Sequence, residues 1–207
     1  MNDEKPLWLW KFPNLPSVPQ ELVDLAYESI NTWNHDPKNT NYITNDQETF
    51  LQDGQTKKSV AFVQFLVDEK IIDWVHENIV VEGAHSNIRV ARSTIDPHGG
   101  EKHKVAHTDL TRDFTLIYLL ESGGPNHRTV FYQERGQPLV RERRTVVYDY
   151  SKLEELASVR IPLNRWIILQ SQVLHAVENI PNHRISFQIG IHDLDGMKTP
   201  VDTWTDV

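Results

Sequence analysis

Apolar positions change their spacing near residue 86. Before it, Leu22, Leu25, Ala26 and Ile30 recur at threes and fours, which predicts an amphipathic helix over 20–33. Val60, Phe62, Val63, Phe65, Leu66, Ile71, Ile72 and Val75 cluster in the same way and predict a second helix over 58–80. Ahead of both, PLWLWKFPNLPSVP sets Trp8, Trp10 and Phe12 among prolines and reads as a short edge strand with a lead-in. The polar stretch 34–56 reads as a long loop and a candidate lid, with Tyr42, Phe50 and its asparagines placed to touch a substrate.

After residue 86 the segments are short and rich in Val, Ile, Thr, Tyr and Phe. NIRVARSTI, DFTLIYLLES, HRTVFYQ, RRTVVYDY, LASVRI, RWIILQS, VLHAVEN and HRISFQIGI are separated by Pro, Gly or Asn. This is the pattern of an antiparallel, mainly β domain, and a closed double sheet or jelly roll needs strands of this number and length. The expected layout is one domain: a strand and helical support region over 1–86, a β core over 87–192 and a tail over 193–207. The chain carries no repeat, no phosphate-binding loop and no dinucleotide-type glycine pattern.

Composition narrows the function. With 21 basic against 29 acidic residues in 207, the formal net charge is -8, which argues against an extended nucleic-acid surface. RERR at Arg141 to Arg144 is a local basic patch that fits a solvated turn. The absence of cysteine rules out disulfides, thiolate nucleophiles and cysteine-held metals. MNDEKPLWLWKF does not read as a signal peptide, and no apolar run is long enough to span a membrane, so the expected setting is cytoplasmic.

Candidate chemistry begins at His107-Thr108-Asp109, just ahead of an apolar strand. In an extended segment both side chains leave the same face and can grip one ion. A second histidine would complete a set of two imidazoles and one carboxylate, which leaves half of an octahedral iron open. His175 has the best context, at the start of the strand after RWIILQS, although a lone histidine there also fits a packed core. His98, His103, His183 and His192 are competitors at turns and strand ends. In HRISFQIGI, Arg184 and Ser186 share one face of an apolar strand. An inward arginine requires an anion, and its fork matches a carboxylate; an internal Asp or Glu would serve as well as a ligand.

Together these residues resemble the iron(II)- and 2-oxoglutarate-dependent oxygenases, whose core is a double-stranded β-helix. His107-Thr108-Asp109 matches the family's His-x-Asp, His175 in VLHAV its distal histidine, and Arg184-Ile185-Ser186 the Arg-x-Ser of some branches. GGPNHRTVFY resembles the turn where many members read GGE, but Pro125 and Asn126 depart from that form. The resemblance covers about residues 87–192 and implies helices packed on one sheet. It implies Fe(II) held by His107, Asp109 and His175, with 2-oxoglutarate anchored by Arg184 and Ser186. It also implies O2 as cosubstrate, ascorbate as an auxiliary reductant, and release of succinate and carbon dioxide. Halogenating relatives carry a small residue in place of the carboxylate, so Asp109 favours hydroxylation of an unactivated C–H bond.

Likeness to prolyl-hydroxylase-like members favours a prolyl or other peptide side chain as substrate, with a small molecule as the alternative. Tyr118 and Arg92 are further cosubstrate-binding candidates. Tyr118 shares parity with Phe114, Leu116 and Leu120, which also fits core packing, while Thr115 and Ile117 occupy the other face. Trp166 reads as packing. Three alternatives stay open: a cupin-like metal enzyme that does not use 2-oxoglutarate, a non-catalytic β-helix binding module, and zinc or nickel at the same ligands.

Overall fold

The computed structural model describes residues 8–32, 42–46, 49–50, 56–57, 61–66, 68–95, 106–109, 111–142, 145–147 and 149–206. In chain order the elements are β1 (Trp10–Lys11), α1 (Gln20–Thr32), β2 (Tyr42–Asp46), β3 (Thr49–Phe50), β4 (Thr56–Lys57), β5 (Ala61–Leu66) and α2 (Glu69–Asn78). There follow β6 (His85–Ile95), β7 (Ala106–His107), β8 (Phe114–Ser122), β9 (Arg128–Glu134), β10 (Val146–Val147) and β11 (Leu153–Val159). The last strands are β12 (Trp166–Gln170), β13 (Leu174–Glu178) and β14 (Arg184–Ile191).

Two antiparallel sheets form the body. The larger runs β1-β12-β8-β14-β6-β5-β2 and the smaller β10-β7-β13-β9-β11. Strands of the core alternate between the sheets except at β9–β11, which stay in the smaller one: β6, β8, β12 and β14 lie in the larger, β7, β9, β10, β11 and β13 in the smaller. This is the double-stranded β-helix, with helices on the N-terminal side.

In its central strands β8, β12 and β14 the larger sheet is buried on both faces. Its outer face packs Phe114, Leu116, Tyr118, Trp166, Ile185, Phe187 and Ile189 against Leu22 and Ala26 of α1 and Ile71 and Val75 of α2. Its inner face sends Ile117, Leu119, Ile167 and Leu169 against Phe131, Val159 and Val173 of the smaller sheet. Period-two strands with apolar residues at both parities require cover on both sides.

The N-terminal strand lies at the edge of the larger sheet, where Trp10 and Lys11 pair with Leu169 and Ile168. The helix expected over 58–80 is two elements. Ala61–Leu66 is a strand that pairs with β6, and α2 starts afresh at Asp68, whose side chain accepts a hydrogen bond from Lys70 N at 2.9 Å. Six residues of which five are apolar satisfy both periodicities, and here the open edge of β6 selects the strand. The stretch 34–56, read as a loop, contains β2, which pairs with β5. Tyr42 lies in β2 and Phe50 in β3, and the lid contacts expected of their side chains lie outside what is described. Among the described residues no helix is long and apolar enough to cross a membrane.

Candidate metal centre

Pairing between β7 and β13 puts His107 directly opposite His175, with ring centroids 4.7 Å apart. Asp109 follows β7 and is held by its backbone, whose N–H donates to Ser171 O at 3.0 Å. Thr108 points the other way: its hydroxyl donates to Glu142 O at 2.8 Å and accepts from Thr145 N at 2.9 Å. That anchor keeps residues 107 and 109 on one side. One ligand atom each from His107, Asp109 and His175 lies within 4.8 Å of the others. The three side chains can hold a metal ion.

Their protonation suits that role. Nδ1 of His175 lies 2.9 Å from Val173 O and donates to it, which leaves Nε2 as the lone-pair nitrogen. Burial, reinforced by His107, pushes the His175 pKa down to about 4, so the ring is neutral at neutral pH. Burial alone would raise the Asp109 pKa. The Arg112 guanidinium, helped by the two imidazoles, outweighs it and holds the carboxyl well below the usual range.

The geometry around Asp109 is tight. Arg112 donates from Nε to Oδ2 at 2.7 Å and from Nη2 to Oδ1 at 2.9 Å, a bidentate grip. Thr115 Oγ1 donates to Oδ2 at 3.0 Å and itself accepts from Ser171 at 2.6 Å. Gln172 Nε2 donates to Arg112 O at 2.6 Å and fixes the arginine's backbone. These supporting residues orient the ligand. Sequence reasoning missed Arg112; the signal available was an arginine three residues after the aspartate.

The protonation of His175 has a consequence for the metal-free chain. Its folded pKa, about 4, lies below the ordinary histidine value of 6.5. Between those values the unfolded chain binds the proton that the folded chain refuses. Stability is therefore full above pH 6.5 and is lost as the pH falls through this window, by about 3 kcal/mol. Urea melts of chelated protein at pH 7 and pH 4.5 should show a larger loss in the wild type than in His175→Gln. An equal loss in both would refute the shift.

Inward positions of β14 run Arg184, Ser186, Gln188 and Gly190. Arg184 is 4% exposed and Ser186 1%. Arg184 Nε and Nη2 are buried with no hydrogen-bond partner among the described residues. Burial lowers this guanidinium to about 10, so it stays charged at neutral pH. Gln188 donates to Ser186 Oγ at 3.2 Å and accepts from Arg89 Nη2 at 3.2 Å. Burial and Arg112 push Arg89 down to about 9, with Asp109 opposing. The polar row thus leads from Arg184 towards the carboxylate of Asp109.

Tyr118 and Arg92 are not on this row, which corrects the expectation that they contact a cosubstrate. Tyr118 packs on the helix-covered face, its ring 5.1 Å from that of Trp166 and 6.4 Å from that of Phe187. Arg92 is cross-strand from Ile185, on the same outer face, and its Nη2 lies 2.8 Å from Nε2 of His183. Strand parity is the cause: Arg184 and Ser186 occupy the opposite face. Trp166 packs as expected and donates to Pro16 O at 2.8 Å. Tyr118 also borders a cavity of about 360 Å³ lined by Phe12, Asn14, Asn164, Arg165 and Thr205. Of the competing histidines, His98 and His103 lie outside the described residues. Arg141 of the basic patch pairs with Glu134 at 2.7 Å, and residues 143 and 144 lie outside the described set.

No family model matches the chain, and no curated protein matches it. Among solved structures, the chain is similar to a Shewanella oneidensis protein named provisionally as an oxygenase. The two are 12% identical with a TM-score of 0.44, over 87% of this chain and 80% of the other.

Proposed function

We propose that this chain is an Fe(II)- and 2-oxoglutarate-dependent oxygenase that hydroxylates an unactivated C–H bond. The observation that carries the proposal is Arg184. A buried, charged guanidinium with Nε and Nη2 unbonded is costly unless an anion meets it. It projects into the same barrel interior as two imidazoles and one ionised carboxylate. A dicarboxylate that chelates a metal at one end and meets an arginine at the other satisfies both ends of that interior.

The donor set fits iron(II): two imidazoles and one carboxylate, with room for further ligands. His107, Asp109 and His175 would hold it, and Arg184 with Ser186 would hold the far carboxylate of 2-oxoglutarate. When bound, this group supplies oxidation by O2: R–H, 2-oxoglutarate and O2 become R–OH, succinate and CO2, with one oxygen atom entering each organic product. The protein's own contribution is positional. Val173 O sets the tautomer of His175. Arg112 and Thr115 engage both oxygens of Asp109 and hold the carboxylate in one orientation. Ile117, Leu119, Phe131, Ile167 and Leu169 close the interior beside the polar row and exclude water. A peptide side chain, prolyl or other, is the proposed substrate class, with a small molecule as the alternative.

The test is an anaerobic visible spectrum. Metal-free protein receives Fe(II) and then 2-oxoglutarate, and the charge-transfer band of the chelate is followed. A band in the wild type that vanishes in His175→Ala supports the proposal. Folded, iron-loaded protein without a band sinks the 2-oxoglutarate reading and leaves a metal enzyme of cupin type.

A further inference from the structure

A second group of imidazoles lies on the other side of the larger sheet from the triad. His76 sits in the last turn of α2, and His85 is the first residue of β6. Their Nε2 atoms are 2.7 Å apart, and their rings are 4.9 Å apart with a tilt of 34°. The triad's own histidine pair has nearly the same disposition, 4.7 Å and 45°. The register slips between Gly190 and Ile191, which places His85 opposite Ile191 and leaves Ser86 out of the ladder. That irregularity turns His85 towards α2 instead of into the barrel. His192 leaves β14 beside it, with its N–H donating to Ala84 O at 3.2 Å. His192 and Glu82 are both close enough to act electrostatically on the His85 ring.

We propose that His76, His85 and His192, with Glu82 beside them, form a second metal site that takes Cu(II) or Ni(II) and joins the end of α2 to the rim of the barrel.

Two nitrogens at right angles on one ion, with bonds of about 2.05 Å, stand about 2.9 Å apart; on a tetrahedral ion they stand about 3.3 Å apart. Closing the 2.7 Å pair on one ion therefore asks for only a small opening of the two rings, and imidazole donors suit Cu(II) and Ni(II), with the general affinity order rising to Cu(II). In the metal-free chain the two Nε2 atoms share one hydrogen bond, so one of them carries a proton. Metal loading would need that proton to move to Nδ1 and the two rings to turn until both Nε2 lone pairs converge on the ion. No third ligand atom is yet in place in the metal-free geometry, and the half-exposed rim leaves His192 free to swing in. The site differs in place and ligands from the triad and does not depend on the proposed oxygenase activity.

The test is a Cu(II) titration of the whole chain followed by electron paramagnetic resonance. The wild type should bind two ions, and the double variant His107→Ala/His175→Ala should keep one, split by two or three nitrogens. Adding His76→Asn to that background should weaken the remaining site at least tenfold. Adding His192→Ala instead, at an exposed position, should lower the nitrogen count by one without disturbing the fold. A double variant that binds no Cu(II) would overturn the proposal. So would a signal and affinity unchanged by both His76→Asn and His192→Ala.

Discussion

Arg184→Met is expected to raise stability and abolish 2-oxoglutarate binding together. In the free protein the guanidinium is buried, charged and bonded at neither Nε nor Nη2, so replacing it with an apolar side chain of similar length removes a desolvation cost. A gain of about 1–3 kcal/mol corresponds to a rise of roughly 2–4 °C in melting temperature per kcal/mol for a chain of this size. The same substitution removes the proposed partner of the cosubstrate's far carboxylate. Loss of one member of a buried charge pair costs about 2–5 kcal/mol, so affinity for 2-oxoglutarate should fall at least about 30-fold. Fe(II) affinity should stay within a few-fold of the wild type, because no triad ligand changes. Calorimetric melts, Fe(II) titration and 2-oxoglutarate titration separate these three readouts. A variant that melts lower and binds 2-oxoglutarate normally would show that Arg184 is a structural residue with a protein partner.

Gly190→Ala is expected to damage the metal site although residue 190 is not a ligand. A Cβ there would stand 2.8 Å from Arg112 Cδ and 2.9 Å from Asn87 Nδ2, and closer still to Ser86 Oγ. Ser86 can rotate away. Arg112 cannot give so easily, because Cδ lies mid-chain between a backbone fixed by Gln172 and a head locked on Asp109. The added methyl must push the guanidinium off the carboxylate. Overpacking of this kind costs about 1–3 kcal/mol, and loss of a group that orients a metal ligand costs about 10–100-fold in metal affinity. Co(II) titration should therefore weaken in Gly190→Ala and equally in Arg112→Ala, with little further loss in the double variant. Additive losses would mean that Gly190 acts on the site by another route.

Much of the site was legible in the residues because its chemistry is local. His107 and Asp109 share a face through a two-residue step, and Arg184 and Ser186 do so on β14; the strand period alone dictates both. The errors have one physical source. Helices cover the outer face of the larger sheet, so β8 is apolar at both parities: Phe114, Leu116 and Tyr118 outward, Ile117 and Leu119 inward. Hydrophobicity then cannot say which face is the barrel interior. Tyr118 and Arg92 therefore stood as cosubstrate candidates, Tyr118 beside a core-packing reading, although both turn to the outer face, and Thr115, on the inward parity, was left without its role on Asp109. The strand at 61–66 failed for a related reason: six apolar-rich residues satisfy both periodicities, and only the unpaired edge of β6 distinguishes them.

Residue types and their short-range spacing were thus enough to identify a β-rich chain and to point to a pair able to ligate a metal and to an inward arginine. Those properties depend on side-chain chemistry and on a backbone repeat of two. The meeting of His107 with His175, the clasp of Arg112 on Asp109 and the approach of His85 to His76 belong to another level. Each depends on strand pairing, a register slip or an irregular turn that brings distant segments together. Such pairings are set by the burial of the whole sheet, and no local stretch of sequence carries that information.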